Sequence, residues 1–177
     1  MDKIKILAIC GSLSKMSSNA QVLQHIAGLP FDDVEFIFSD IIGELPHFNP
    51  ELTTGTPAPP VEKFRKQLSE ADGILICTPE YAFGVPGTLK NALDWTVSSG
   101  EFVNKPLALI TASLSGEKAQ AALLQTFTAL SANITPERTL LLSFIRSKLN
   151  EQGNFKDKMD EDAVQKVIAS LVDSIKG

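Results

Sequence analysis

The chain reads as an α/β protein: a three-layer fold built on a five-stranded parallel sheet of order 2-1-3-4-5. Three observations predict it. Strand-like apolar runs alternate with stretches of helical period, which implies a parallel sheet covered on both faces. The run Gly73-Ile74-Leu75-Ile76-Cys77-Thr78 is apolar enough to be a strand buried on both sides. A length of 177 residues suits one domain, 1–177, with five strands and a sizeable core.

In chain order, Ile4 to Ile9 is the first strand, followed by a polar turn and a helix from about Ser18 to Ala27. Val34 to Ser39 is the second strand. Val61, Phe64 and Leu68 stand at helical spacing, on a helix that ends before Ala71-Asp72. Strand three is Gly73 to Thr78, and the helix carrying Leu89, Ala92 and Leu93 follows it. Leu107 to Thr111 is strand four, with a helix on Ala119, Ala122, Leu123, Phe127 and Leu130 behind it. Thr139 to Phe144 is strand five. The closing helix is amphipathic, with Ala163, Val164, Val167, Ile168, Leu171, Val172 and Ile175 on one stripe. Five strands in this pattern fit the flavodoxin-like order. The long irregular piece is Asp40 to Pro60, which carries Pro46, Pro57, Pro59 and Pro60. Loops of that length in a compact domain are functional or mobile, and this one is expected to govern substrate access.

Composition excludes several classes of function. A net charge of −5 without a long basic run argues against nucleic acid and against an anionic membrane as partner. No apolar stretch approaches the roughly 20 residues that span a bilayer, and Lys3 and Lys5 interrupt any signal-peptide pattern at the start. The expected compartment is the cytoplasm. Cys10 and Cys77 form neither a metal pattern nor a disulfide framework, so no metal is expected. Both end strands expected to be neighbours; a thiol pair is conceivable, and simple burial is the alternative. His25 lies on a helix and His47 in the long loop, with no acid or nucleophile arranged around either.

The densest pattern is Pro79-Glu80-Tyr81-Ala82-Phe83-Gly84-Val85-Pro86-Gly87, followed by Thr88-Leu89-Lys90-Asn91-Ala92-Leu93-Asp94-Trp95. A strand running into a proline-fixed loop and then a helix sets a stiff platform at the carboxyl edge of the sheet, where open α/β folds hold ligands. Tyr81 and Phe83 offer flat groups there; the alternative is a plain βα connection shaped by prolines. The turn after strand one, Gly11-Ser12-Leu13-Ser14-Lys15-Met16-Ser17-Ser18-Asn19, matches neither the G-x-G-x-x-G fingerprint nor the P-loop. Its hydroxyls and the N–H groups at a helix start suit a phosphate, or else Ser17, Ser18 and Asn19 only cap the helix. In a 2-1-3-4-5 sheet these two loops lie side by side at the switch point. A third loop, Ala112-Ser113-Leu114-Ser115-Gly116, borders the same crevice. A phosphate cradle beside a flat platform favours FMN over a dinucleotide.

On these residues the chain resembles the NADPH-dependent FMN reductase family, which includes bacterial quinone, chromate and azo-dye reductases. The matching positions are Gly11-Ser12-Leu13 with Ser17 and Asn19, Pro79-Glu80-Tyr81, Pro86-Gly87, Leu89-Lys90-Asn91-Ala92, Asp94-Trp95 and Lys105-Pro106. The resemblance implies a flavodoxin-like fold, bound FMN, NADPH or NADH as donor, a quinone or similar small acceptor, and a homodimer or homotetramer. Carried over by position, Ser12, Ser14, Ser17, Ser18 and Asn19 hold the phosphate. Pro79, Glu80, Tyr81, Ala82 and Phe83 line the flavin ring, and Ser113 to Gly116 close its far side. Ser14, Ala82 and Ser98-Ser99-Gly100 depart from the family pattern, which commonly has arginine, asparagine and arginine there; Lys15 is the nearest replacement cation.

Hydride transfer to FMN needs no protein acid or base, so no catalytic side chain is assigned. Two other readings stay open: a flavin-binding electron carrier or sensor with little NAD(P)H oxidation, and a scaffold that has lost FMN. Lys90 and Asp94 stand one turn apart in the weaker order for a helix ion pair. Asn91 and Trp95 lie off the inward stripe of that helix, and Trp95 is expected to anchor self-association. The competing placement tucks Trp95 under the Ser98–Phe102 loop.

Overall fold

The strands are β1 (Ile4–Cys10), β2 (Val34–Ser39), β3 (Gly73–Thr78), β4 (Leu107–Ser113) and β5 (Thr139–Ser143). All neighbours are parallel, in the order β2-β1-β3-β4-β5. Among the described residues six α-helices surround them: α1 (Ser18–Ala27), α2 (Pro59–Glu70), α3 (Gly87–Asp94), α4 (Glu117–Ala129), α5 (Ile145–Lys148) and α6 (Lys158–Lys176). This is a computed structural model, and it describes residues 3–53 and 55–177. Thr54, inside the long Asp40 to Pro60 loop, lies outside the described residues, as do Met1 and Asp2.

The pleat sorts the sheet's side chains into two cores. Leu7, Ile9, Ile74, Ile76, Leu107 and Leu109 face Val61, Phe64 and Leu68 of α2, Leu89 and Leu93 of α3, and Leu123 and Phe127 of α4. Ile6, Ala8, Leu75, Cys77, Ala108 and Ile110 face Val22, Leu23 and Ile26 of α1, Ile145 of α5 and the stripe of α6. Every residue of β3 and β4 is buried, because both faces are covered by helices; that is why these strands are continuous apolar runs. The register sets Cys10 beside Cys77 and Cys77 beside Ile110. The carboxyl ends of β1, β3 and β4 therefore finish at one level, and their loops open on one edge.

The expected exposure of Trp95 needs correction. Trp95 is not a surface anchor: it is 1% exposed, its indole N–H donates to Pro46 O at 2.8 Å, and its ring meets Phe48 edge-on at 5.3 Å. Asn91 holds the same segment, donating to Pro46 O and accepting from Phe48 N–H. The long loop covers the tryptophan, since a buried indole N–H needs an acceptor and the Pro46 carbonyl supplies one. That loop also buries Ile41, Ile42 and Leu45, so it is a cover for the α2/α3 face. Lys90 and Asp94 do pair, at 2.6 Å, despite their order.

Strand boundaries shift only at the site. β4 runs on to Ser113, and β5 stops at Ser143. Phe144 turns into the left-handed region at φ 55° and starts α5, a four-residue helix too short to show a period in the sequence. Leu149 bridges to Phe155, and Lys148 pairs with Asp160 through both carboxylate oxygens at 2.8 Å. The Glu151 to Asp162 run is thus split between a hairpin and the first turn of α6. His25 is a clamp within this region: it lies 3.2 Å from Asn154 Oδ1, 3.3 Å from Glu161 Oε1 and edge-on to Phe155.

Candidate active site

The turn after β1 begins with Gly11, whose N–H donates to Cys77 O at 2.8 Å. A Cβ there would stand 2.2 Å from Thr78 Oγ1, so only glycine lets the turn lie this close to β3. Ser12 Oγ accepts from Ser14 N–H at 3.3 Å and meets the Tyr81 hydroxyl at 3.2 Å. Ser17 caps α1, its hydroxyl accepting from Ala20 N–H at 3.1 Å. The capping role weighed from sequence is therefore real, and it leaves the remaining N–H groups of the first turn free to face an anion. No acid stands in that first turn to oppose one. Asn19 is buried, and its Oδ1 accepts from the Cys77 thiol at 3.3 Å. Burial, with Cys10 adding to it, pushes the Cys77 pKa well up. The thiol stays protonated and serves as a donor rather than a nucleophile.

After β3 the backbone folds into a two-residue turn. Tyr81 and Gly84 exchange both backbone hydrogen bonds, at 3.0 and 2.9 Å, with Ala82 at φ 49° and Phe83 at φ 59° between them. Positive φ at both central positions marks a type I′ turn, which favours Asn-Gly over Ala-Phe. The turn carries Tyr81 and Phe83 outward, 56% and 78% exposed.

Glu80 joins this loop to the next. Its carboxylate accepts from Lys118 N–H and Ala119 N–H at 2.9 Å each and from Ser115 Oγ at 3.0 Å. Partial burial acts to raise the Glu80 pKa, but the hydrogen bonds from Ala119, Ser115, Gly116 and Lys118 outweigh it and hold the group below its ordinary 4.5. Ser113 Oγ accepts from Glu80 N–H at 3.1 Å and meets Glu80 O at 3.4 Å. Gly116 sits at φ 98°, where a Cβ would press within 2.9 Å of both Leu141 and Thr111. The loops after β3 and β4 are thus one fastened unit.

A cavity of about 850 Å³ opens between these loops, within the range of small-molecule sites. Of the predicted residues, Ser12, Ser14, Ser17, Ser18, Asn19, Pro79, Glu80, Tyr81 and Ser113 line it. Ala82, Phe83 and Gly116 do not: the I′ turn carries the first two away, and Gly116 serves the start of α4. Lys15 is also outside the lining, as are the described residues of the Asp40 to Pro60 loop, so the expected control of access by that loop has no support in the lining. Sequence reasoning missed Phe144, Ile145, Arg146, Ser147, Leu149 and Asn150, which also line it. The only signal was their place after the last strand of the sheet.

The lining fits FMN. Hydroxyls and a helix start free of acid suit the phosphate, while Tyr81, Leu114 and Phe144 leave apolar surface at the mouth for a flat ring. A parallel sheet of this order with a mononucleotide-sized crevice at the switch point defines a flavodoxin-like nucleotide-binding protein. The chain belongs to the NADPH-dependent FMN reductase family, whose profile matches residues 4–146. It is 33% identical to an NAD(P)H-dependent FMN reductase of Pseudomonas aeruginosa over 175 residues, covering 96% of this chain and 94% of the relative. It is 34% identical to an NADPH:quinone oxidoreductase of Arabidopsis thaliana, covering 95% and 90%. Among solved structures it resembles FerB, a flavoenzyme NAD(P)H:(acceptor) oxidoreductase from Paracoccus denitrificans, with TM-score 0.78, 27% identity and coverage of 98% and 97%. Among the described residues, no helix is long and apolar enough to cross a membrane.

Proposed function

We propose that the protein is an FMN-dependent NAD(P)H oxidoreductase that delivers electrons from a nicotinamide nucleotide to quinones or similar small acceptors. One observation carries the reading: the serine-rich start of α1 and the Glu80–Tyr81 platform face one cavity of about 850 Å³. In that reading Ser12, Ser14, Ser17, Ser18 and Asn19 hold the phosphate. Pro79 to Phe83 and Ser113 to Gly116 flank the ring, Ala82, Phe83 and Gly116 through backbone and turn geometry only. FMN supplies the hydride-accepting chemistry when bound. The chain's own part is to orient ligand and exclude water, and Glu80, the one carboxylate of the lining among the described residues, is tied into α4 rather than free to move protons.

A homodimer or homotetramer in the cytoplasm, each chain one domain over 1–177, belongs to the same proposal. With Trp95 buried, the apolar rim residues Phe83, Leu114 and Phe144 are the better candidates for contact between copies.

The test is anaerobic. NADPH or NADH added to the flavin-loaded protein should bleach its visible band, and an added quinone should restore it. A protein that holds FMN but is reduced by neither nucleotide would favour the electron carrier or sensor instead.

A further inference from the structure

The chain has three arginines, and two of them are committed to the fold. Arg65 donates to Trp95 O at 2.6 and 3.2 Å. Arg138 is buried and donates to Ser174 Oγ and Asn133 Oδ1. Arg146 differs from both. Its side chain is exposed, lines the cavity, and has neither hydrogen bond nor ion pair among the described residues.

Among the described residues it is also the only cation in that lining. Lys15, in the turn after β1, is not part of the wall, and Lys148 is held by Asp160. The single acid of the lining, Glu80, has both oxygens engaged by Ser115, Lys118 and Ala119. Among the described residues, no free carboxylate of the lining competes for the guanidinium. The element that carries it is anchored on both sides: Ile145 and Leu149 are buried, and Phe144 N–H donates to Leu114 O at 3.1 Å. The same cavity is lined by Ser14, Ser17 and Ser18, which offer hydroxyls but no charge.

An unpaired arginine on an anchored element, in one cavity with a neutral anion cradle, has an evident partner. We infer that Arg146 supplies the positive charge for the FMN phosphate, forking onto it from α5 while the serines and the start of α1 hold it from the other side. The inference rests on the FMN reading above. It makes Arg146 the residue that selects the phosphorylated flavin over riboflavin, which has the same ring and no phosphate.

Flavin-free protein titrated with FMN and with riboflavin, followed by quenching of flavin fluorescence, tests this. Arg146→Ala should weaken FMN by roughly tenfold or more, the scale of one charge-assisted contact, and leave riboflavin within about twofold. Arg146→Lys should fall between, since it keeps the charge and loses the fork. Circular dichroism should be unchanged, because the side chain has no structural partner. An FMN affinity unaltered by Arg146→Ala would overturn the inference, as would equal losses for both flavins. An unaltered FMN affinity with a raised KM for NADPH but not NADH would assign the arginine to the donor's phosphate instead. A wild type that binds neither flavin would overturn the functional reading and this inference with it.

Discussion

The Tyr81 hydroxyl lies 3.2 Å from Ser12 Oγ, across 69 positions of sequence, and so ties the platform after β3 to the turn after β1. Ser12 in turn accepts from Ser14 N–H, which fixes the cradle before any ligand arrives. This arrangement makes the cradle sensitive to charge rather than to shape alone. A Ser12→Glu, Ser17→Asp double variant sets two anions where the phosphate is proposed to lie. Aspartate caps a helix as well as serine does, so α1 should persist by circular dichroism. FMN binding, read by fluorescence quenching, should be lost; an unchanged affinity would show that the phosphate site lies elsewhere.

Glu80 predicts a pH dependence. Its folded pKa is below the ordinary 4.5 because the hydrogen bonds from α4 outweigh the cost of burial. A depressed folded pKa means the stabilisation is fully present above the unfolded value and is lost as pH falls through the folded one. Glu80→Gln should therefore lower the melting temperature at pH 7, and the gap to wild type should close as the pH drops below about 4.5. Because Glu80 is only partly buried, the effect at pH 7 should be modest, about 1 kcal/mol. A gap that stays constant from pH 7 to pH 3 would contradict the assignment.

Trp95 is a core residue, and its loss should read as instability. Trp95→Ala should destabilise the fold by about 3–5 kcal/mol through the cavity left beneath the long loop, with the broken Pro46 bond included. Urea denaturation followed by circular dichroism measures this. A fall in molecular mass by light scattering with an unmoved unfolding midpoint would show instead that the indole sits in an interface.

The turn between Tyr81 and Gly84 stores strain at Ala82. Asparagine accepts a positive φ more readily than alanine, and a I′ turn favours it at this position. Ala82→Asn should raise stability by about 0.5–1 kcal/mol, part of the penalty that a β-carbon meets in the left-handed region. A lower urea midpoint in the variant would mean that the alanine methyl makes a contact worth more than the strain.

Much of the fold was legible because its signals are local. The bounds of β2 and β3 and of α1 came directly from apolar period and turn residues, and β3, covered on both faces, is buried throughout and so reads as an apolar run. The crevice was legible for a related reason: a sheet of order 2-1-3-4-5 brings the loops after β1 and β3 together whatever their detail. The serines of the turn after β1, together with Pro79, Glu80, Tyr81 and Ser113, needed only that topology to be set around one cavity.

Contacts between distant segments leave no periodic trace. Nothing in the helix that carries Trp95 tells that Pro46 O, 49 positions away, accepts its indole proton. The sequence around Glu80 equally hides that α4 holds its carboxylate, and α5 is too short to announce itself, so the Arg146 wall was missed. Secondary structure, strand order and the place of the site follow from short-range pattern and chain connectivity. Which polar groups satisfy one another, and so which remain free to meet a ligand, depends on three-dimensional packing, because a buried donor takes whatever acceptor the fold sets beside it.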